Sequence, residues 1–181
     1  IAWVQQMTQG DAWNIACEME NDANCPEEDG PDYDFGAATI LMTTKTGQDL
    51  LLAGQKSGQV HALNPDRNGR IVWQRQLGRG GIQGGVHFGL AAQGDALYVP
   101  MSDFDGGARW TGEAMPGMYR IDVNTGETSW FQRHADRCGE QAHCQPGISA
   151  PASAIDGAVV AGAMDGILRA YAADSGEILW Q

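Results

Sequence analysis

Three segments of the chain repeat one pattern, and this repetition constrains the fold more than any other feature of the sequence. Each segment reads as a glycine, an alternating strand, a turn containing Asn or Asp with a glycine, and a second strand that contains a tryptophan. The segments are GQVHALNPDRNGRIVWQ from Gly58, GMYRIDVNTGETSWFQ from Gly117 and GILRAYAADSGEILWQ from Gly166. Repetition of one supersecondary unit indicates a fold built from similar modules stacked in series.

The spacing within the motif is constant, whereas the spacing between copies varies. The turn glycine lies four residues before the tryptophan in every copy, at Gly69–Trp73, Gly126–Trp130 and Gly176–Trp180. Ile1–Gln5 (IAWVQ) resembles the tail of an earlier copy, and the successive tryptophans lie 70, 57 and 50 residues apart. We therefore expect loops of variable length between constant units, with Trp73, Trp130 and Trp180 packing between units.

Period-two alternation with frequent turn signals predicts antiparallel strands, about four in each repeat. The sequence thus predicts an all-β chain of about three four-stranded antiparallel β-propeller blades, at approximately 36–75, 88–132 and 151–181, after an acidic lead-in loop at 6–35. A β-sandwich would also give short strands, but it would not repeat one motif three times. Since propellers close with about four to eight blades, we interpret residues 1–181 as a partial propeller domain whose partner is the remainder of the ring.

Composition narrows the class of partner. The formal net charge is −12, with 23 acidic and 11 basic residues, which argues against nucleic acid or an anionic membrane surface and favours divalent cations or basic proteins. The 43% of hydrophobic residues excludes a disordered acidic tail. No apolar run approaches the roughly 20 residues of a membrane helix, so we expect no membrane span.

The connections between the predicted strands divide into two groups that lie on opposite faces of the disc. One face, here called the turn face, carries ordinary turns: 43–49, 64–69, 92–95, 123–126, 155–157 and 173–176. The other, here called the loop face, carries long and chemically rich segments: 18–34, the turn around Lys56, 78–88, 102–117 and 134–147. Because function usually resides on loops held by a rigid scaffold, the loop face is the predicted functional face.

Both cysteine pairs fall in loop-face segments. Seven residues separate Cys17 from Cys25, and five separate Cys138 from Cys144. Two local disulfides in an oxidising compartment are the favoured interpretation. The alternative is a zinc site formed by four residues, although their spacing matches no familiar ligand pattern: His134, Cys138, His143 and Cys144.

The loop motifs resemble those of the pyrroloquinoline quinone (PQQ)-dependent quinoprotein alcohol dehydrogenases, which are eight-bladed propellers, and most of all the polyvinyl alcohol dehydrogenase-like branch. The stretches that carry the resemblance are CPEEDGPDYDFGAATIL, LLLAGQKSGQVHALN, GGVHFGLAAQGDALYVPMSD and GAVVAGAMDGILRAYAADSGEILW. The blade motif alone is also shared by scaffold propellers of outer-membrane assembly. The tryptophan that would form a floor under the quinone is absent, as is the adjacent cysteine pair of some members.

The resemblance implies roles for four residues. Asp32 matches the catalytic base, and Asp34 matches the second acid, which binds the metal in some members; a register shift of one Asp would exchange these roles. Lys56 matches the basic residue that bonds the quinone oxygens, and His87 stands where many members have asparagine. The non-functional alternatives are an acidic surface loop for the two aspartates, a solvated turn lysine for Lys56 and a structural loop residue for His87. Four further loop-face residues are candidates for shaping substrate access: Asp103, Asp105, Arg109 and Trp110.

Two functions follow as hypotheses. In the first, the parent protein is a periplasmic or secreted enzyme that oxidises an alcohol, simple or polymeric, with PQQ and a calcium-type cation. Electrons then pass to a cytochrome c-type acceptor, and the fragment alone is expected to be inactive. In the second, the chain belongs to a non-enzymatic propeller that acts as a binding or assembly scaffold. The cluster of Asp32, Asp34 and Lys56 discriminates between them, because a scaffold has no need of it.

Overall fold

The computed structural model describes residues 1–81, 83–104 and 112–181, and it contains three four-stranded antiparallel sheets. The strands of blade 1 are β1 (Ile40–Thr43), β2 (Asp49–Gly54), β3 (Gln59–Asn64) and β4 (Arg70–Gln76). Those of blade 2 are β5 (Ala91–Gln93), β6 (Ala96–Met101), β7 (Gly117–Asp122) and β8 (Thr128–Arg133). Those of blade 3 are β9 (Ser153–Ile155), β10 (Ala158–Gly162), β11 (Leu168–Ala172) and β12 (Ile178–Trp180).

Within each blade the strands pair in sequence order, so every connection joins neighbours. This is the predicted all-β arrangement of four-stranded blades, and the fold prediction is confirmed. Two short 3₁₀-helical segments, Ile15–Glu18 and Pro65–Arg67, are the helices of the described residues. Neither has the length or the apolar character of a membrane span.

Two apolar cores lie between adjacent blades. Leu50, Val60 and Trp73 of blade 1 pack with Leu97 and Val99 of blade 2. The alternate residues of blade 2 face the other way, and that second core with blade 3 contains Tyr98, Met118, Ile148, Val159 and Tyr171. All six residues of β6 are buried because a neighbouring blade covers each side of this strand.

The recurring tryptophans connect one blade to the turn face of the next. The indole N–H of Trp73 donates to the carbonyl of Val123 at 2.8 Å, and a Cβ added at Gly126 would lie 2.7 Å from the same ring. Trp130 repeats this contact on Ala173 and Gly176 of blade 3. Trp73 and Trp130 therefore pack between blades as predicted.

Trp3 and Trp180 can be compared with Trp73 and Trp130. Trp3 lies against Gly69 as Trp73 lies against Gly126, which supports the interpretation of Ile1–Gln5 as the tail of an earlier copy. Trp180 is 58% exposed, so it does not pack between described blades.

A β-bulge at the same place in each repeat explains the constant glycine-to-tryptophan spacing. The register shifts between Ala62 and Leu63 in blade 1, between Arg120 and Ile121 in blade 2, and between Ala170 and Tyr171 in blade 3. In each case one residue of the last strand, immediately before the tryptophan, is left out of the ladder. The bulge thus fixes where the indole leaves the strand.

A closed polar cluster lies on the loop face between blades 2 and 3. Arg169 donates to both carboxylate oxygens of Asp165, at 3.1 and 2.5 Å, and both side chains are at most 3% exposed. His134 Nδ1 lies 2.7 Å from the Pro146 carbonyl, which can only accept, so this nitrogen carries the proton and Nε2 accepts from the Tyr171 hydroxyl at 2.7 Å.

Both predicted disulfides are present. Cys17 is bonded to Cys25 and Cys138 to Cys144. The alternative of a zinc site is wrong, because its two cysteines are bonded to each other and both ring nitrogens of His134 have protein partners.

Candidate active site

Three of the predicted site residues form one ion cluster on the loop face. Lys56 Nζ lies 2.9 Å from Asp32 Oδ2 and 3.0 Å from Asp34 Oδ2. The Lys56 side chain is 11% exposed and that of Asp32 is 8% exposed, whereas that of Asp34 is 66% exposed. The alternatives of a solvated turn lysine and of a surface aspartate at position 32 are therefore wrong, and the cluster opens to solvent at Asp34.

Two hydrogen bonds join the β2–β3 turn to the backbone of the segment that carries the aspartates. The Lys56 N–H donates to the Asp34 carbonyl at 3.0 Å, and the Gln55 side-chain amide donates to the Tyr33 carbonyl at 2.7 Å. Two residues of one turn thus hold two residues of the facing segment. The ammonium and the carboxylates meet because of these backbone contacts.

The glycine-rich loop after β4 packs on the other side of the Lys56 turn. Gly81 N–H donates to the Lys56 carbonyl at 3.1 Å, and a Cβ added at Gly85 would lie 2.2 Å from that oxygen. A side chain at Gly85 would therefore displace the turn. Glycine is frequent between residues 78 and 89. The absence of side chains there allows the backbone of this loop to approach the Lys56 turn closely.

Burial and hydrogen bonding shift the pKa values of the two aspartates in opposite directions. Burial raises the pKa of Asp32 and outweighs the opposing hydrogen bond from Lys56. The hydrogen bond from Lys56 lowers the pKa of the more exposed Asp34 and outweighs its desolvation. Burial acts to lower the pKa of Lys56, but the hydrogen bonds to both aspartates outweigh it and raise this pKa, so the lysine is charged at neutral pH.

His87 lies at the edge of the cluster. A Cβ added at Gly36 would be 3.1 Å from the His87 ring, and Nδ1 lies 3.4 Å from the Ser149 hydroxyl. Burial, and then the positive charge of Lys56, lower the pKa of His87. A neutral imidazole beside the Lys56 cluster can donate one hydrogen bond and accept another.

Asp103 is buried rather than placed to shape substrate access. Its carboxylate accepts from the backbone N–H groups of Arg79 at 3.1 Å, Gly80 at 3.2 Å and Met115 at 2.8 Å. It therefore holds the glycine-rich loop against the segment before β7. The other candidates of this group, Asp105, Arg109 and Trp110, lie outside the described residues.

Sequence reasoning missed Asp11. Its carboxylate accepts from the backbone N–H groups of Asp32 and Tyr33, at 2.9 and 2.7 Å. These partners lie 21 and 22 residues away along the chain, and no local pattern predicts such a contact.

Comparison with known proteins agrees with this architecture. The family model PQQ_2, described as outer membrane protein assembly factor BamB, matches residues 37–181. The chain belongs to the PQQ_2 family. Together with the relatives described next, this match confirms the resemblance found in the sequence.

Curated relatives of this PQQ_2 chain are dehydrogenases. The chain is 37% identical over 183 residues to a polyvinylalcohol dehydrogenase from a Pseudomonas species, and 37% identical over 185 residues to one from Sphingopyxis. The alignments cover 100% and 99% of the chain but only 28% of each relative. The chain thus corresponds to somewhat more than a quarter of these enzymes.

A solved structure supports the same fold for the PQQ_2 chain. A quinohemoprotein alcohol dehydrogenase from Pseudomonas putida superposes with a TM-score of 0.57 at 20% identity. The superposition covers 83% of this chain and 21% of that enzyme. At this identity the likeness concerns the fold alone.

Proposed function

We propose that the chain is part of a PQQ-dependent alcohol dehydrogenase in which Asp32 is the catalytic base, Lys56 and His87 bind the quinone, and Asp34 binds a calcium-type cation. The observation that carries this proposal is the Asp32–Lys56–Asp34 cluster, with one buried carboxylate, one open carboxylate and a charged lysine between them. The 37% identity to polyvinylalcohol dehydrogenases supports an alcohol substrate, including a polymeric one.

The N–H donors of Lys56 and the second oxygen of Asp34 fit a quinone and a calcium-type cation. An ammonium has three N–H donors, and the described partners of Lys56 account for two, which leaves one for a quinone oxygen. Asp34 bonds Lys56 through Oδ2, and its exposed carboxylate has a second oxygen of the kind that calcium prefers. When bound, the quinone accepts the two electrons of the alcohol, and the cation polarises the quinone oxygens as a Lewis acid.

The chain's own residues perform the proton and charge chemistry. Asp32 accepts the alcohol hydroxyl proton, and its raised pKa brings it closer to the pH at which a general base works best. Lys56 stabilises negative charge that develops on the bound quinone, and its burial strengthens that effect. The hydrogen bond from the same lysine opposes the effect of burial on the pKa of Asp32.

The same proposal implies further properties of the parent protein. We infer that these blades belong to an eight-bladed ring whose earlier blades supply the rest of the site. Two disulfides support a periplasmic or secreted location. A cytochrome c-type protein is the proposed electron acceptor.

The test is alcohol-dependent reduction of an artificial dye by the parent protein, loaded with PQQ and calcium, across a panel of simple and polymeric alcohols. Replacing a positioned general base typically reduces the rate by about 10²–10⁴-fold, and we expect that loss for Asp32→Asn. The matched control is Asp22→Asn, which removes the same charge from an exposed position of the lead-in loop. No turnover by a protein with proven cofactor loading would refute the proposal.

The family model's description as an assembly factor favours one second candidate, a propeller that binds partners without a cofactor. In that case Asp32→Asn would leave partner binding unchanged, and the parent protein would not retain PQQ on gel filtration. Retention of the quinone together with loss of turnover in Asp32→Asn decides for the enzyme.

A further inference from the structure

We propose that Asp11 is a positioning residue for Asp32: its carboxylate fixes the backbone of Asp32 and Tyr33 and thereby the direction of the catalytic side chain. This inference rests on the proposed function, in which Asp32 is the base. It extends that function to Asp11, a residue of the lead-in loop. The sequence alone shows this loop only as an acidic segment.

The contact uses both oxygens of one carboxylate. Oδ1 accepts from the Asp32 N–H at 2.9 Å, and Oδ2 accepts from the Tyr33 N–H at 2.7 Å. Charge-assisted bonds from two consecutive amides to one anion are strong and directional. They fix the orientation of the peptide plane between Asp32 and Tyr33, not merely its location.

Asp32 needs such support because of its backbone conformation. Its φ is +62°, in the left-handed region that residues with a Cβ adopt rarely. Consecutive amides near such a residue form a concave site for an anion, which the Asp11 carboxylate fills. The left-handed turn places the Asp32 carboxylate 2.9 Å from Lys56 Nζ with little exposure to solvent. An extended backbone at this position would direct the side chain elsewhere.

Asp11 is itself held in place by the base of the lead-in loop. It pairs with Asp29 in a β-bridge, and the next residue, Ala12, donates its N–H to the Glu28 carbonyl at 3.0 Å. A Cβ added at Gly30 would lie 2.4 Å from the Asp11 Cα, so the approach requires glycine. The disulfide between Cys17 and Cys25 closes the loop between these two strands of the bridge. The loop therefore acts as a clamp that presents Asp11 to Asp32.

The opposite side of the segment is held independently of Asp11. Gln55 and Lys56 bond the carbonyls of Tyr33 and Asp34, whereas Asp11 bonds the amides of Asp32 and Tyr33. Removal of the Asp11 carboxylate should thus release the peptide between Asp32 and Tyr33 while the Lys56 turn keeps its place. This separation makes the role testable.

The experiment compares wild type, Asp11→Asn and the control Asp22→Asn in the parent protein loaded with PQQ and calcium. Asn has one acceptor oxygen and an N–H₂ group in place of the second, so it cannot reproduce the contact in which each oxygen accepts from one amide. Amide hydrogen exchange is measured by mass spectrometry on peptides covering Asp32 and Tyr33, and kcat and KM are measured with an alcohol and an artificial dye.

For Asp11→Asn we expect exchange at least tenfold faster in these peptides, kcat at least tenfold lower and KM within about twofold of wild type. The fall in kcat with KM nearly unchanged is the signature of a displaced base, because Asp11 does not contact the substrate in this proposal. Asp22→Asn should match wild type in every measurement. If Asp11→Asn does not fold, Asp11→Glu, which keeps both acceptors but displaces them by one methylene, is judged by the same criteria.

Two results would overturn the inference. One is unchanged exchange in a folded Asp11→Asn protein. The other is faster exchange with wild-type kcat, which would give Asp11 a purely structural role. Failure of the proposed function is distinguishable, because it would leave wild type without alcohol-dependent turnover while the exchange measurement still reports on Asp11.

Discussion

Equivalent turns of blades 1 and 3 hold their charges in opposite ways. The sequence AGQKSG at 53–58 corresponds to AGAMDG at 161–166, so Lys56 stands at the place of Met164. In blade 3 the charges of Asp165 and Arg169 are buried and pair with each other through two hydrogen bonds. In blade 1 the ion cluster is open at Asp34, which is 66% exposed.

One scaffold thus supports two uses of equivalent turns. A charge pair closed within the blade fixes the packing of its neighbours, whereas a lysine shared by a buried and an exposed carboxylate retains capacity to bind and to react. Burial acts to raise the pKa of both Asp32 and Asp165, but Arg169 outweighs it at Asp165 and Lys56 does not at Asp32. The bidentate guanidinium and the Ile167 N–H both lower the pKa of Asp165, whereas the neighbouring Asp34 adds to the raised pKa of Asp32.

The largest expected effect comes from breaking the closed pair. Arg169→Met should destabilise the fold by about 3–5 kcal/mol, because it leaves the Asp165 carboxylate buried without its cation. Chemical denaturation at neutral pH measures this loss, and kcat per folded molecule should stay near wild type. The double variant Asp165→Asn/Arg169→Met is the control and should recover part of the stability. Equal destabilisation in the double variant would contradict the explanation.

The pH dependence of this effect has a defined sign. In wild type the lowered pKa of Asp165 contributes stability above its ordinary value of 3.8, and this contribution is lost as the pH falls through the lowered pKa. Arg169→Met removes the strongest influence that opposes burial, so the pKa of Asp165 rises and the cost of burying its charged form is smaller at low pH, where the carboxyl is protonated, than at neutral pH. The stability deficit of the variant should therefore grow as the pH rises from acid to neutral.

A smaller loss is expected at the histidine of the closed cluster. Tyr171→Phe removes the hydroxyl that donates to His134 Nε2 and leaves a buried acceptor without a partner, which costs about 1–3 kcal/mol. Burial lowers the pKa of His134, so the ring is neutral at pH 7 in either protein. Thermal unfolding should show the loss, and the pH profile of kcat/KM should not change. A moved profile would connect the closed cluster to the reaction.

Variants of the open cluster should move the pH profile of kcat/KM, an effect separate from the stability that Lys56→Met loses by leaving the Asp32 carboxylate buried without its cation. Lys56→Met removes the cation that lowers the pKa of Asp32, so the acid limb of kcat/KM should move to higher pH. Asp34→Asn removes a carboxylate that raises the same pKa, so the limb should move to lower pH. Both variants are measured with the parent protein in one buffer series. Shifts of the same sign would show that Asp32 does not control the limb.

The smallest effect is expected on the turn face. Lys45 forms an ion pair with Asp95 between the first turns of blades 1 and 2, but its side chain is 80% exposed. Exposed pairs contribute about 0–1 kcal/mol, so Lys45→Gln should change stability by no more than that and leave kcat unaltered. Denaturation at low and high salt provides the measurement. A larger loss would mean that burial does not determine how much an ion pair contributes to stability.

The fold could be predicted from the sequence to a large extent because its signals are local. Alternation, turn glycines and the recurring tryptophans predict the four antiparallel strands of each blade, but the first strand of blade 1 begins at Ile40 rather than near residue 36. Gly36 packs against the carbonyl of His87 instead of joining the ladder. Pro151 has no N–H to donate, and β9 begins only at Ser153.

The site could be predicted only in part. The acidic segment and Lys56 could be matched to a family pattern, but the sequence does not show that burial sets Asp32 and Asp34 apart. Asp11 and Asp103 act on backbone amides more than 10 residues away in sequence, and such contacts have no signature in residue type or spacing. The same limit applies to His134, whose hydroxyl partner, Tyr171, comes from the next blade.

The tryptophan contacts separate the assembly of the blades from the chemistry they carry. Each contact requires an indole in one repeat and a glycine in the turn of the next, and both lie on the turn face or directly beside it. The intervals between tryptophans shrink from 70 to 50 residues without altering this contact. Loop-face segments can therefore be lengthened, shortened or exchanged between repeats without a change in how blades meet, so new binding properties can be introduced one loop at a time.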